Sequence, residues 1–345
     1  KYDLNPIIDT KDIPSCASIY DFRDPCIFKK NGKLYIIVGS KSKDEKEAML
    51  VLYEGEDIFH FHFLKKLVSS DKFGTMFECP NLVSFEDNNY IIMSPQNIKE
   101  KDGNFANVSS CVYFKLKGDF IHEEQTIEKV KEIDHGLEYY APTVYDDEKI
   151  LVNWVQMWGR RYYLDEIHND FINTFSLFKK IKEKDGVLSF TPLSLENYVT
   201  EKKIEKIKLN GESQTYHNCH VHYQVKFEKD EELCLTLEFF DSKRDKVNFV
   251  IDCKNNIYQL DRSNVSIPLN GVEDSYAKDG KRYLKKEIPS NCVIDIYIDN
   301  AYVEIYFDNF EEGFSFINFS KEDGFSLKSN KLVEISLLSE NIEVK

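Results

Sequence analysis

Apolar residues along this chain gather in short runs bounded by polar turns: LYIIVGS at 34–40, AMLVLYE at 48–54, YIIMSP at 90–95, CVYFKL at 111–116 and KILVNWV at 149–155. The runs are rich in aromatic and β-branched residues, and helical periodicity is nearly absent, so they predict strands. The pattern resumes as VHYQVKF, ELCLTLEFF, VNFVID, NNIYQLD, VIDIYIDN, YVEIYFDN, FSFINF and LVEISLL between residues 221 and 338. The whole chain is therefore expected to be all-β.

The first half carries a repeat. RDPCIFKKNGKLYIIVGS, ECPNLVSFEDNNYIIMSP and YAPTVYDDEKILVNWV each read as a proline, a short apolar strand, a polar turn and a second strand. Their prolines, Pro25, Pro80 and Pro142, lie 55 and 62 residues apart. A period of several strands on that scale is the mark of β-propeller blades. In such blades the residues just before the innermost strand converge on the central axis. Those residues are Arg23 and Asp24, then Glu78 and Cys79, then Glu138 to Ala141, while Ile27 and Phe28 should continue into the core. A proline beside charges also begins strands in any β-sandwich, but three units at matched spacing favour blades. Three blades do not close a ring, since propellers have about 4 to 8. After residue 182 the repeat stops at KEKDGVLSFTPLSLENYVTEKK, and the later strands alternate as in an antiparallel sandwich. The expected division is 1–182 as part of a propeller, 183–205 as a linker and 206–345 as a β-sandwich.

The 345 residues carry 45 Lys and Arg against 60 Asp and Glu, a formal charge of -15. That balance argues against nucleic acid or an anionic membrane as partner, because phosphate binding needs clustered cations. The apolar runs fall far short of the roughly 20 residues that span a bilayer, and no signal segment is visible. Eight cysteines are scattered without a C-x-x-C pair; read as reduced thiols they favour the cytoplasm. The chain opens on Lys1 within an extended KYDLNPIID, which reads as part of a longer polypeptide.

Two carboxylates stand out. Glu78, in M-F-E-C-P, has apolar neighbours and suits a general acid; Asp24 stands beside Arg23, whose guanidinium suits an anion that binds hydroxyls or stabilises positive charge. Paired carboxylates are what glycoside hydrolysis requires, although either one alone is more commonly a solvated surface group.

F-R-D-P at 22–25, E-C-P at 78–80 and Y-A-P at 140–142, in this order and spacing, resemble the β-fructofuranosidases of glycoside hydrolase family 32. Y-Q-L-D-R-S at 258–263 and D-N-A-Y-V-E-I-Y at 299–306 are similar to motifs of that family's C-terminal sandwich. The resemblance implies a five-bladed propeller, of which about three blades are present, followed by a β-sandwich. It implies a retaining hydrolase of sucrose, sucrose 6-phosphate or short fructans, with Glu78 as general acid/base and Asp24 as transition-state stabiliser. Arg23, Cys79, Glu138, Tyr140 and Trp154 are implied substrate contacts. The family's nucleophile is the aspartate of an N-terminal W-M-N-D-P-N-G motif; no such motif occurs here, which fits the absence of the first two blades. The chain alone is then expected to be inactive, with a missing N-terminal segment or a companion chain as partner. A small carbohydrate is the expected ligand, no cofactor or metal is implied, and a homodimer is allowed.

Departures accompany the match. The family's D-F-Y-A-P reads E-Y-Y-A-P here, its P-R-E-L reads S-L-F-K-K-I at 176–181, and Asn300 replaces an arginine of the second sandwich motif. Trp154 suits either stacking on a sugar face or a place in the core. His217, Cys219, His220 and His222 look like metal ligands but lack a second cluster, so a structural role is expected. Arg160 and Arg161 suit either a phosphate contact or a solvated loop. Two other functions stay open: a non-catalytic sugar-binding remnant, and an inverting five-bladed hydrolase of the family 43 type.

Overall fold

The structure, a computed structural model, describes residues 3, 5–160, 173–240, 246–265, 280–318 and 324–343. Three antiparallel sheets come first. Strands β1 (Ala17–Lys30), β2 (Lys33–Ser42), β3 (Ala48–Gly55) and β4 (Phe61–Ser70) pair in chain order. So do β5 (Met76–Ser84), β6 (Asn89–Gln96), β7 (Val112–Leu116) and β8 (Lys131–Glu132). In the third sheet, β9 (Tyr140–Tyr145) pairs with β10 (Ile150–Val155), the short β11 (Thr174–Phe175) extends β10, and β12 (Lys179–Lys184) and β13 (Val187–Pro192) complete the meander.

These sheets bury both faces, as propeller blades do. Tyr35, Ile37, Leu50 and Leu52 of the first sheet share a core with Phe77, Leu82, Ile91 and Phe114 of the second. On the second sheet's other face, Val83, Tyr90 and Ile92 join Leu151, Ile181 and Phe190 of the third. Because successive side chains alternate across a strand, Ile36, Val38, Met49 and Val51 point away from that stack; Ile8 and Ile13 of the lead-in cover them. Gly39 lets the stack close, since a Cβ there would lie 2.2 Å from the Phe77 carbonyl oxygen.

The second half is a sandwich folded from one sheet. Its strands are β14 (Val199–Glu212), β15 (His220–Glu228), β16 (Cys234–Phe240), β17 (Lys246–Asp252), β18 (Ile257–Asn264), β19 (Lys281–Lys285), β20 (Asn291–Asp299), β21 (Tyr302–Phe307), β22 (Glu312–Ile317) and β23 (Gly324–Ile342). The long β23 joins the halves: its first residues pair with β16 and its later ones with β14 and β15. Phe239 meets Phe316 at 5.4 Å and Phe249 meets Phe314 at 5.2 Å between ring centroids, so β16 and β17 face β22 across the core.

The expected linker at 183–205 is mostly strand. Its start finishes β12 and forms β13, and its end begins β14 at Val199, leaving only residues 193–198 between the two halves. The charged stretch EKKIEKIK hid β14, because that strand lies largely exposed along β23 and needs no apolar run.

Candidate active site

The repeat seen in the sequence is also a repeat of backbone geometry. Asp24, Cys79 and Ala141, each just before its proline, have φ of 59°, 49° and 49°. At each of these places the pairing with the next strand slips: between Arg23 and Cys26, between Glu78 and Asn81, and between Trp154 and Val152 opposite β9. A bulge with positive φ bends a strand and re-aims its side chains. The equivalent positions are thus Arg23, Glu78 and Tyr140, followed by Asp24, Cys79 and Ala141. Asp24 and Glu78 are one residue out of step between blades rather than occupying the same place.

This offset brings the first trio into contact. Arg23 donates from Nε at 3.1 Å and Nη2 at 2.9 Å to Glu78 Oε1, and the Tyr140 hydroxyl donates to Glu78 Oε2 at 2.5 Å. Glu78 is 6% exposed. Its flank is therefore a guanidinium and a phenol, beyond the apolar neighbours visible in the sequence. Arg23 also donates from Nη1 to Asp21 Oδ1 at 2.9 Å, and Lys41 reaches Asp21 Oδ2 at 3.0 Å. Burial works against the charge on both Arg23 and Asp21, but their mutual bond and the bonds from Glu78 and Lys41 outweigh it. The guanidinium stays above its usual value and the Asp21 carboxyl below its own. Burial first, then the neighbouring Glu78, pushes the Tyr140 hydroxyl up, which keeps it a proton donor.

Arg23 does not serve Asp24. Neighbouring residues on an extended strand project to opposite sides, and Asp24 Oδ2 accepts from the Cys79 backbone N–H at 3.0 Å, with Cys79 Sγ at 3.7 Å. Burial, then Asp24 and Glu78, pushes the Cys79 thiol up, so it stays protonated and is a poor nucleophile. Asn81 ties the next blade in: its Nδ2 donates to the Cys79 and Pro142 carbonyls, both at 2.8 Å, and its Oδ1 accepts from Val144 N–H at 3.0 Å. Trp154 is half-buried and meets Tyr140 edge-on at 6.1 Å; Trp158, 55% exposed, does so at 6.2 Å. Trp154 also meets Trp158 edge-on at 5.6 Å.

The sequence reading missed Asp21, Asn81 and Trp158. Asp21 had a signal, because on a strand it shares a face with Arg23 two residues on. Asn81 and Trp158 had none beyond their closeness to E-C-P and to Trp154.

Three expectations need correction. Glu138, expected to touch the sugar, is fully buried: Arg262 donates to it at 2.8 and 2.9 Å, Arg160 at 2.5 Å and Ile317 N–H at 2.9 Å. Burial alone would raise its carboxyl, but Arg262 and Arg160 outweigh that and hold it below the usual range. Arg160 is accordingly neither solvated nor open to a phosphate; Arg161 lies outside the described residues. Ile27, expected in the core, is 55% exposed, while Phe28 packs against the core between the first and second sheets. His220 and His222 of the sandwich are bonded to carboxylates: His220 to Asp299 at 2.9 Å, and His222 to Glu340 at 2.8 Å and Asp295 at 2.9 Å.

A buried carboxyl group between a guanidinium and a phenol, with a second carboxyl, that of Asp24, held by the N–H of the residue that follows it, can exchange a proton while its neighbour accepts hydroxyls. A carboxylate offers about four lone-pair sites, and Glu78 takes three bonds, from the side chains of Arg23 and Tyr140.

Comparison with known proteins bears on the family and the fold. The family model described as glycosyl hydrolases family 32 N-terminal domain matches residues 1–192. A sucrose-6-phosphate hydrolase of Vibrio alginolyticus is 26% identical over 293 residues, covering 81% of this chain and 56% of its own length. The one from Streptococcus mutans is 26% identical over 322 residues, covering 90% of this chain and 64% of itself. The chain thus spans a little over half to two thirds of these relatives. Among solved structures, a Bombyx mori β-fructofuranosidase superposes with a TM-score of 0.82 at 21% identity, covering 99% of this chain and 69% of that one. A sucrose-6-phosphate hydrolase from Lactobacillus gasseri also gives 0.82, at 20% identity, covering 96% and 67%. At these identities the superpositions carry the fold, a propeller joined to a sandwich.

Proposed function

The chain belongs to glycosyl hydrolase family 32, and on that premise we propose that it forms part of a retaining β-fructofuranosidase acting on sucrose, sucrose 6-phosphate or a short fructan. The observation that carries this reading is the seating of Glu78 between Arg23 and Tyr140 at the bulges of three successive sheets. In the proposed reaction Glu78 donates a proton to the glycosidic oxygen as that bond breaks, then takes one from the water that releases fructose. Asp24, oriented by the Cys79 N–H, accepts sugar hydroxyls as positive charge builds on the ring. Arg23 and Tyr140 hold the Glu78 carboxyl, and the half-open face of Trp154 gives a sugar an apolar surface to stack on.

The three bulges supply only these two carboxylates, so the nucleophile is proposed to come from outside these 345 residues. The eight free thiols, three of them buried, support a reducing, cytoplasmic setting.

The test uses the intact polypeptide. Glu78→Gln keeps the shape and the Arg23 contact but cannot transfer the proton, and should lower sucrose or sucrose 6-phosphate turnover by about 10² to 10⁴-fold. Unchanged turnover would sink the assignment. The first product, followed by NMR, should retain its anomeric configuration; inversion would point to the family 43 mechanism instead.

A further inference from the structure

The run from Asp134 to Tyr145 belongs to both halves of the molecule. Its first part lies along β22, the end strand of the sandwich sheet. His135 N–H donates to the Gly313 carbonyl at 2.8 Å, Leu137 N–H to that of Ser315 at 2.7 Å, and Ser315 Oγ donates to Asp134 Oδ2 at 2.7 Å. Gly136 permits this approach, since a Cβ there would lie 2.0 Å from the Ser315 oxygen. The second part of the run is β9, in the third blade.

Where the run crosses over, three consecutive side chains go to three places. Glu138 is gripped by Arg262 of the sandwich. The Tyr139 hydroxyl accepts from Lys179 at 3.1 Å, and Lys179 pairs with Glu304 of the sandwich at 3.1 Å. Tyr140 delivers its hydroxyl to Glu78. Both anchors are sealed, with Glu138 0% and Tyr139 3% exposed. Close-packed interiors transmit displacement rather than absorb it, and a reacting group must be held by residues that are themselves locked.

We propose that Arg262 and Glu304 of the sandwich are positioning residues for the catalytic carboxyl, acting through Glu138 and through Lys179 and Tyr139 to place the Tyr140 hydroxyl on Glu78. This rests on the reading of Glu78 as the acid/base. The sandwich is then more than a stabilising appendage: it fixes one of the two donors that hold the proton-transferring group.

The two tryptophans of the chain, Trp154 and Trp158, both lie edge-on to Tyr140, so their emission reports on that ring without any turnover. In the intact polypeptide, Arg262→Met should red-shift the emission and increase its quenching by acrylamide, and Arg262→Lys, which keeps the charge, should give a smaller change of the same kind. In sucrose hydrolysis Arg262→Met should lower kcat by up to about 10²-fold with KM held, and Arg262→Lys should recover part of it. Val225→Ala, a cavity on β15 of the sandwich core with no bond to Arg262, Glu138 or Tyr139, controls for lost stability and should leave emission and kcat as they were. Should Arg262→Met fail to fold, Arg262→Lys alone decides. Unchanged emission and kcat in the folded Arg262 variants would overturn the inference, as would an equal change in Val225→Ala. A parent protein without hydrolase activity would overturn the functional reading instead, and the emission would still decide the positioning.

Discussion

Glu78 and Glu138 are both buried glutamates held by arginine, yet they are built for different work. Glu78 takes its bonds from Arg23, whose side chain is 35% exposed, and from one phenol. Glu138 takes four, from Arg262, Arg160 and the Ile317 N–H, and neither it nor the Arg160 side chain reaches solvent. The difference lies in what remains unspent: Glu78 keeps acceptor capacity beside a half-open rim, whereas Glu138 has none. Burial of a charge is common to both, so burial alone does not distinguish them; incomplete satisfaction beside a partly exposed arginine does.

Breaking the sealed member should cost the most stability. Glu138→Ala strips two buried arginines of their shared partner and should destabilise by roughly 3–5 kcal/mol, read as a lower urea midpoint. Gly136→Ala pushes a methyl into the Ser315 backbone and should cost roughly 1–3 kcal/mol by the same measurement.

The seam should also respond to pH. Burial would lower His135, but Glu132 and Glu312 raise it to about 10. Its folded value lies above its unfolded one, so its contribution is whole below about 6.5 and is lost as pH rises toward about 10. Burial would raise Glu312, but His135 lowers it to about 2, so that contribution is whole above about 4.5 and is lost as pH falls toward 2. Asp134, pushed up to about 6 by burial against its bonds from Ser315 and Gly136, adds stability below about 3.8 that is lost by about pH 6. Tm should therefore fall from pH 6.5 to 10, and His135→Gln should flatten that fall; an unchanged slope would show that the imidazolium is not the group responsible. The smallest effect is expected at the rim: Asp21→Asn removes one half-exposed partner of Arg23 and should shift stability by less than about 1 kcal/mol.

The fold was largely legible because blades and sandwich strands bury alternating apolar residues, which write themselves into the sequence. The repeat marked the bulges as well: they fall at the residues before Pro25 and Pro80, and at Pro142's strand opposite Trp154. What stayed hidden was the partnering. That Arg23 serves Glu78 rather than the adjacent Asp24 depends on strand alternation and a one-residue slip. That Glu138 faces the sandwich rather than a sugar depends on Arg262, 124 residues away. Both facts are long-range and leave no local trace. The strand β14 was hidden for the opposite reason, being exposed and charged where strands are usually recognised by burial.

The central claim is that Glu78 transfers a proton to the leaving oxygen. Its most direct test compares Glu78→Gln with the parent on sucrose and on an aryl β-fructofuranoside whose nitrophenolate leaves without protonation. The account predicts that the variant loses about 10² to 10⁴-fold on sucrose while its first-turnover release of nitrophenolate stays close to that of the parent, with Tm unchanged. Equal loss on both substrates would contradict it.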